Sequence, residues 1–189
     1  MSHASAIPAA EAFRRLSEGN ERFLKGQHTG DASEARRMEL VGGQHPYAII
    51  VTCSDSRVVP EYIFSAGIGD LFVIRTAGNT VSDCSLGSIE YAIAHLGVRL
   101  VVVMGHTNCG AVTAAVEGVR ERHVSNITDT IQEAVRGECD VCEACMLNIH
   151  YALKRIEDDL PDRHDVRYVG AVYDIGSGEV EFFDDLMEE

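Results

Sequence analysis

The 189-residue chain has no run approaching the eighteen or more apolar residues of a membrane span, and its first residues lack the charged-then-apolar pattern of a signal peptide. No membrane role is expected, and the chain reads as cytoplasmic. Lysine is scarce: of sixteen basic residues only Lys25 and Lys154 are lysines, against thirty acidic residues and a formal net charge of -14. That balance argues against nucleic acid or an anionic membrane as a partner, because both are polyanions. Acidic stretches such as Glu157-Asp158-Asp159 and Asp184-Asp185 read as a solvated face. Repeats and low-complexity tracts are absent. Six cysteines without a signal peptide read as thiols and metal ligands, not as a disulfide framework.

A hydrophobic content of 46% fits one globular domain, or a domain with terminal arms. Residues 1–7 carry no periodic pattern and read as disordered. A helical pattern follows over residues 8–25, with Ala12, Leu16, Phe23 and Leu24 as its apolar points, and residues 33–41 suggest a second short helix. Strands are expected at 47–52, 71–75, 100–104 and 167–173, with a short edge strand at 180–183 after the turn Gly176-Ser177-Gly178. Between them lie a short helix at 60–65, opened by Pro60, and one capped by Ser82 or Asp83 with the stripe Leu86, Ile89, Ile93 and Leu96. Further helices are expected from Cys109 or Gly110 to Glu117, over 126–136, and over 141–160 with Pro161 ending the last. This is an α/β fold: a central, mostly parallel sheet covered by helices, with an N-terminal helical arm.

Two clusters follow the two most apolar runs: Cys53-Ser54-Asp55-Ser56-Arg57 and His106-Thr107-Asn108-Cys109-Gly110. Apolar, β-branched runs read as strands buried on both faces, so both clusters belong at the C-terminal edge of a parallel sheet, where ligands bind in open α/β folds. Cys53, His106 and Cys109 supply the two thiolates and one imidazole of a catalytic zinc site with an open fourth position. If they share one Zn²⁺, the first and third strands must be neighbours, which gives the order 2-1-3 and a ligand crevice at the switch point. Asp55 can accept a hydrogen bond from a water or hydroxide on that ion, Arg57 can hold the carboxylate, and the Gly110 N–H can face developing negative charge. Asp55 is also close enough in sequence to swing onto the metal and close the site. Cys139, Cys142 and Cys145, spaced by three, read as a helical packing stripe, with a second metal or a redox site as the alternative.

Several segments carry a resemblance: Gln44-His45-Pro46, Cys53-Ser54-Asp55-Ser56-Arg57-Val58-Val59-Pro60-Glu61, Gly69-Asp70-Leu71-Phe72-Val73-Ile74-Arg75, Ala77-Gly78-Asn79, Gly87-Ser88-Ile89-Glu90-Tyr91-Ala92 and Gly105-His106-Thr107-Asn108-Cys109-Gly110-Ala111. In this order, across residues 13–183, the chain closely resembles the β-class carbonic anhydrases. The resemblance implies one Zn²⁺ on Cys53, His106 and Cys109, an orienting Asp55–Arg57 dyad, and a substrate pocket lined by Gln44, Tyr91 and the Gly110 amide. It implies reversible hydration of CO₂ to bicarbonate and a proton by zinc hydroxide. It also implies a homodimer or dimer of dimers whose pocket is completed by the neighbouring subunit. Residues 1–43 would then be the arm that packs on that neighbour, and 44–189 the zinc-binding catalytic domain. Ala66 stands where many plant-type members place a Phe, and the lack of any Trp argues against the inhibitory bicarbonate site that some members build around one. Hydrolysis of carbonyl sulfide or carbon disulfide uses the same ligands in some members and is the alternative reaction. A non-catalytic zinc or redox-sensing protein, built on Cys139 to Cys145, is the rival of another kind.

Overall fold

The computed structural model describes residues 7–137, 139–160 and 165–183. Five strands form one sheet: β1 (Ala48–Cys53), β2 (Leu71–Thr76), β3 (Leu100–His106), β4 (Arg167–Tyr173) and β5 (Val180–Phe183). Their order is β2-β1-β3-β4-β5, with β5 antiparallel to β4 and the other pairs parallel. The 2-1-3 order expected from a shared metal is therefore present. Every residue of β1 and β3 is buried, as their unbroken apolar runs require, whereas β2 at the sheet edge is only partly covered.

Alternation along β1 and β3 divides the core in two. Ala48, Ile50, Leu100, Val102 and Met104 face one side, against Ala12 and Leu16 of α1 (Ala9–Leu24) and Ile63 of α3 (Pro60–Ile63). Ile49, Val51, Val101 and Val103 face the other, against α4 (Asp83–His95) and α7 (Val141–Asp159). Each fully buried Leu or Ile here contributes roughly 1.5–3 kcal/mol relative to exposure. A third cluster lies at the sheet's C-terminal edge, where Cys53 and Cys109 pack with Val112 and Ala115 of α5 (Gly110–Val116), Ile131 of α6 (Ser125–Val135) and Ala144. The remaining helix, α2 (Glu34–Glu39), buries no residue. Among the described residues no helix is long and apolar enough to cross a membrane.

Some expectations shift in detail. β1 and β3 run one and two residues further than their apolar runs, because the ladders continue to Cys53 opposite Thr76 and His106 opposite Tyr173. Cys53 and His106 are thus the last residues of strands, not loop residues. Leu24 is 47% exposed, and in the last turn of α1 it is Phe23 that packs against the core. Ile7 packs on the core, which corrects its reading as disordered; residues 1–6, Pro161 and Asp184-Asp185 lie outside the described residues. α1 is fastened to its own chain by the buried Asn20, whose amide donates to the Ile63 and Gly178 carbonyls at 3.2 and 2.9 Å and accepts the Val180 N–H at 3.0 Å.

Candidate metal centre

β1 and β3 lie side by side in register, Thr52 opposite Met104, and the buried Thr52 hydroxyl donates to the Met104 carbonyl at 2.8 Å. This clamp sits one residue before Cys53 and two before His106. After β3 the chain turns through Asn108, whose φ of 56° is in the left-handed region that Asn tolerates. That turn is tied to the end of β4 and to Ile175 just beyond it: the Thr107 N–H donates to the Tyr173 carbonyl at 3.0 Å, and the Thr107 hydroxyl accepts the Ile175 N–H at 3.1 Å. Cys109 then falls at the N-cap of α5 and faces back toward Cys53.

The Cys53 and Cys109 sulfurs are 3.9 Å apart, and with a His106 ring nitrogen all three ligand atoms lie within 4.8 Å of one another. Tetrahedral zinc with bonds of about 2.3 Å to two sulfurs separates them by roughly 3.8 Å. His106 Nδ1 donates to the Thr107 carbonyl at 2.9 Å, which leaves the lone pair on Nε2. Nε2 is buried and has no hydrogen-bond partner. A buried polar atom left so is costly, and a cation between imidazole and thiolates would satisfy it. The donor set, two sulfurs and one imidazole, suits zinc better than a hard cation.

Cys53 is the more acidic sulfur. The contact with the Cys109 sulfur, the His106 ring and the N–H groups of Asp55 and Gly78 at 3.4 and 3.3 Å overcome burial and hold the Cys53 thiol well below its ordinary value. The same contact, with burial, pushes the Cys109 thiol up. Asp55 and Arg57 form a bidentate pair, Arg57 Nε to Oδ1 at 2.9 Å and the guanidinium NH₂ to Oδ2 at 2.7 Å, with the Arg57 N–H also donating to Oδ1 at 2.9 Å. These bonds hold the Asp55 carboxyl well below the usual carboxylate range. Arg57 reaches the Asn108 carbonyl at 3.3 Å as well, so the dyad spans both clusters. Asp55 Oδ2 lies 4.0 Å from His106 Nε2, facing the ligand cluster while clasped by Arg57.

Five of the eight expected site residues therefore meet: Cys53, Asp55, Arg57, His106 and Cys109. Gly110 opens α5 beside them, with open space where a side chain would be. Gln44 and Tyr91 stand apart from this group. Gln44 is exposed in the loop before β1 and makes no hydrogen bond among the described residues; Tyr91 is 48% exposed on α4, its ring against Phe72 and His95.

Sequence reasoning missed Arg75. It sits opposite Thr52 and donates to the carbonyls of Cys53 at 3.1 Å and Asp55 at 2.6 Å, holding the backbone of the segment whose side chain Arg57 holds. The strand order together with a lone charge ending an apolar run was the available signal. Among the described residues, Cys53, His106 and Cys109 are the one His, Cys, Asp or Glu group close enough to hold a metal. The Cys139 to Cys145 stripe does not converge: Cys142 is exposed, and Cys145 is buried with its thiol toward the His106 carbonyl at 3.6 Å. Burial pushes the Cys145 thiol up to about 11.

A family model described as carbonic anhydrase matches residues 48–180. Carbonic anhydrase 2 of Mycobacterium tuberculosis is 40% identical over 157 residues, covering 81% of this chain and 72% of its own length. Among solved structures, a β-carbonic anhydrase of the fungal pathogen Aspergillus fumigatus is 26% identical with a TM-score of 0.72, over 95% of this chain and 92% of that one. A tetrameric β-carbonic anhydrase of Sordaria macrospora is 26% identical with a TM-score of 0.68, over 90% and 96%. A carbon disulfide hydrolase at 17% identity, TM-score 0.57, covering 78% of this chain and 89% of that one, shares the fold.

Proposed function

The chain belongs to the β-class carbonic anhydrase family, and from that premise we propose that it catalyses the reversible hydration of CO₂ to bicarbonate and a proton with one zinc held by Cys53, His106 and Cys109. The observation that carries this is the convergence of the three ligand atoms within 4.8 Å, with the Arg57-held Asp55 carboxylate beside them. Zinc bound there would supply a Lewis acid that lowers the pKa of water. The two thiolates neutralise more of the ion's charge than imidazoles do, so activity is expected to rise toward alkaline pH. Asp55 is ionised and can only accept, so it takes a hydrogen bond from the attacking oxygen and turns a lone pair toward carbon. Arg57 fixes that carboxylate in orientation and charge. The Gly110 N–H, first in its helix, faces the negative charge that develops on the substrate oxygens.

Gln44 and Tyr91 belong to this reading as substrate-pocket residues, Gln44 bonding bicarbonate, in a pocket completed across a homodimer or dimer of dimers. Their exposure supports that assignment, as does the tetrameric state of the Sordaria relatives. Residues 1–43 form the arm and 44–189 the catalytic domain. Met38 and Val41, 66% and 76% exposed in the arm, are the apolar groups with which it would pack on the neighbour. A cytoplasmic location is part of the same proposal.

Stopped-flow CO₂ hydration at alkaline pH, on protein of determined zinc content, is the test. Rapid turnover by zinc-loaded protein is expected. A zinc-loaded protein that leaves CO₂ untouched but releases sulfide from carbonyl sulfide or carbon disulfide would move the assignment to the hydrolase that shares the fold.

A further inference from the structure

We propose that Asn148 on α7 is a positioning residue of the metal centre, holding the Gly78 carbonyl so that the Gly78 N–H stays aimed at the Cys53 sulfur. The proposal rests on the zinc reading of that centre and adds to it a residue 70 positions away in sequence from the glycine it governs.

Asn148 is 1% exposed on a helix face otherwise made of Ala144, Cys145, Ile149 and Ala152. A side-chain amide in such surroundings is costly unless it is hydrogen-bonded. Its Nδ2 donates to the Gly78 carbonyl at 2.8 Å. Gly78 in turn donates its N–H to Cys53 at 3.3 Å. The glycine has little freedom to drift. Its φ of 64° is left-handed, and a Cβ on it would meet Ile131 Cδ1 at 2.8 Å and the Ala111 Cβ at 3.1 Å. Asn148 therefore holds from the α7 side a turn that α5 and α6 hold from another.

The same face of α7 supports the second ligand-bearing strand. Cys145, three residues earlier, directs its thiol to the His106 carbonyl at 3.6 Å, and Ile149 fills the space over Gly105, where a Cβ would lie 2.7 Å from Ile149 Cδ1. One side chain of the helix thus bears on the His106 carbonyl directly and another on the Cys53 sulfur through Gly78. An N–H donated to a thiolate stabilises the charge on the sulfur and fixes the direction of its remaining lone pairs, so misdirecting Gly78 weakens the hold of Cys53 on its cation. Asn148 touches neither substrate nor ligand atom and acts only through Gly78.

The test compares Asn148→Leu, which keeps volume but cannot donate, with Ile156→Ala, a buried truncation two turns along the same helix. Each is measured for metal affinity by chelator competition and, after cobalt(II) substitution, for the thiolate-to-cobalt charge-transfer band. Asn148→Leu is expected to weaken affinity by roughly tenfold or more and to shift the band. Ile156→Ala is expected to lower Tm while leaving both readouts at wild-type values. Wild-type affinity and band in a folded Asn148→Leu protein would overturn the proposal. If that variant does not fold, the wild-type protein loaded with ¹¹³Cd decides: coupling from the Gly78 amide proton to cadmium, with slow exchange of the Asn148 side-chain amide, supports the link, and absence of either overturns it. A wild-type protein that shows no thiolate band with cobalt would instead refute the metal centre itself.

Discussion

Two triplets of candidate ligands occur in this chain, and among the described residues only one converges closely enough to hold a metal. Cys53, His106 and Cys109 come from two adjacent parallel strands and the turn after the second, so their side chains leave one sheet edge toward a common point. Cys139, Cys142 and Cys145 belong to one helix and its approach. Spacing by three sets such residues in a row along the axis, where each meets a different environment. Cys139 is partly buried beside the Cys53 and Cys109 cluster, Cys142 is exposed, and Cys145 is buried behind His106. Close spacing in sequence therefore does not by itself make a ligand set, and the Cys139 to Cys145 stripe is the packing stripe that its helical spacing suggests. Convergence came from strand adjacency, which local spacing does not encode.

That contrast can be broken most severely at the ligands. Cys53→Ala or His106→Ala should take zinc content from stoichiometric to essentially none and abolish CO₂ hydration with it, whereas Cys142→Ser should leave both at wild-type values. Metal analysis beside the hydration assay decides, and zinc retained without His106 would mean that the triplet is not the ligand set. A narrower cut separates holding the metal from using it. Asp55→Asn should keep the zinc yet lower kcat by about a hundredfold or more, the usual worth of a positioned proton acceptor; full activity in that variant would remove Asp55 from the reaction.

The smallest effect concerns the dyad's charge. Arg57 holds the folded-state pKa of Asp55 below its unfolded value, so the pair's stabilisation is fully present above about pH 4 and is lost as pH falls through the acid range. Arg57→Gln should flatten the acid limb of a stability-against-pH curve measured by denaturant titration from pH 6 downward. The change should be slight, because Arg57 is half exposed and solvent screens the pair. An acid limb as steep as in the wild type would show that the ion pair is not what depresses Asp55.

Much of this architecture could be read ahead of the fold. Unbroken apolar runs marked β1 and β3 as central strands, and the assumption of one shared ion gave their adjacency. The dyad was legible because Asp55 and Arg57 are two residues apart and local turn geometry brings them together. Arg75 and Asn148 were not legible. Each acts on backbone carbonyls at least twenty positions away, and a carbonyl carries no mark in the sequence. The arm was half legible: its helical period was clear, but Asn20, which pins it to the chain's own sheet, looked like any polar helix residue.

Composition and apolar periodicity were thus enough to indicate the fold class, and the spaced motif segments the family and the candidate ligands, because burial pattern and donor chemistry are properties of residue type and local order. Which cysteines meet, which N–H groups face the Cys53 sulfur and which helix face braces the strand tips were decided by tertiary packing. Those contacts join β1, the turn after β2, β3 and α7, and only the folded arrangement sets the distances on which hydrogen bonds and metal coordination depend.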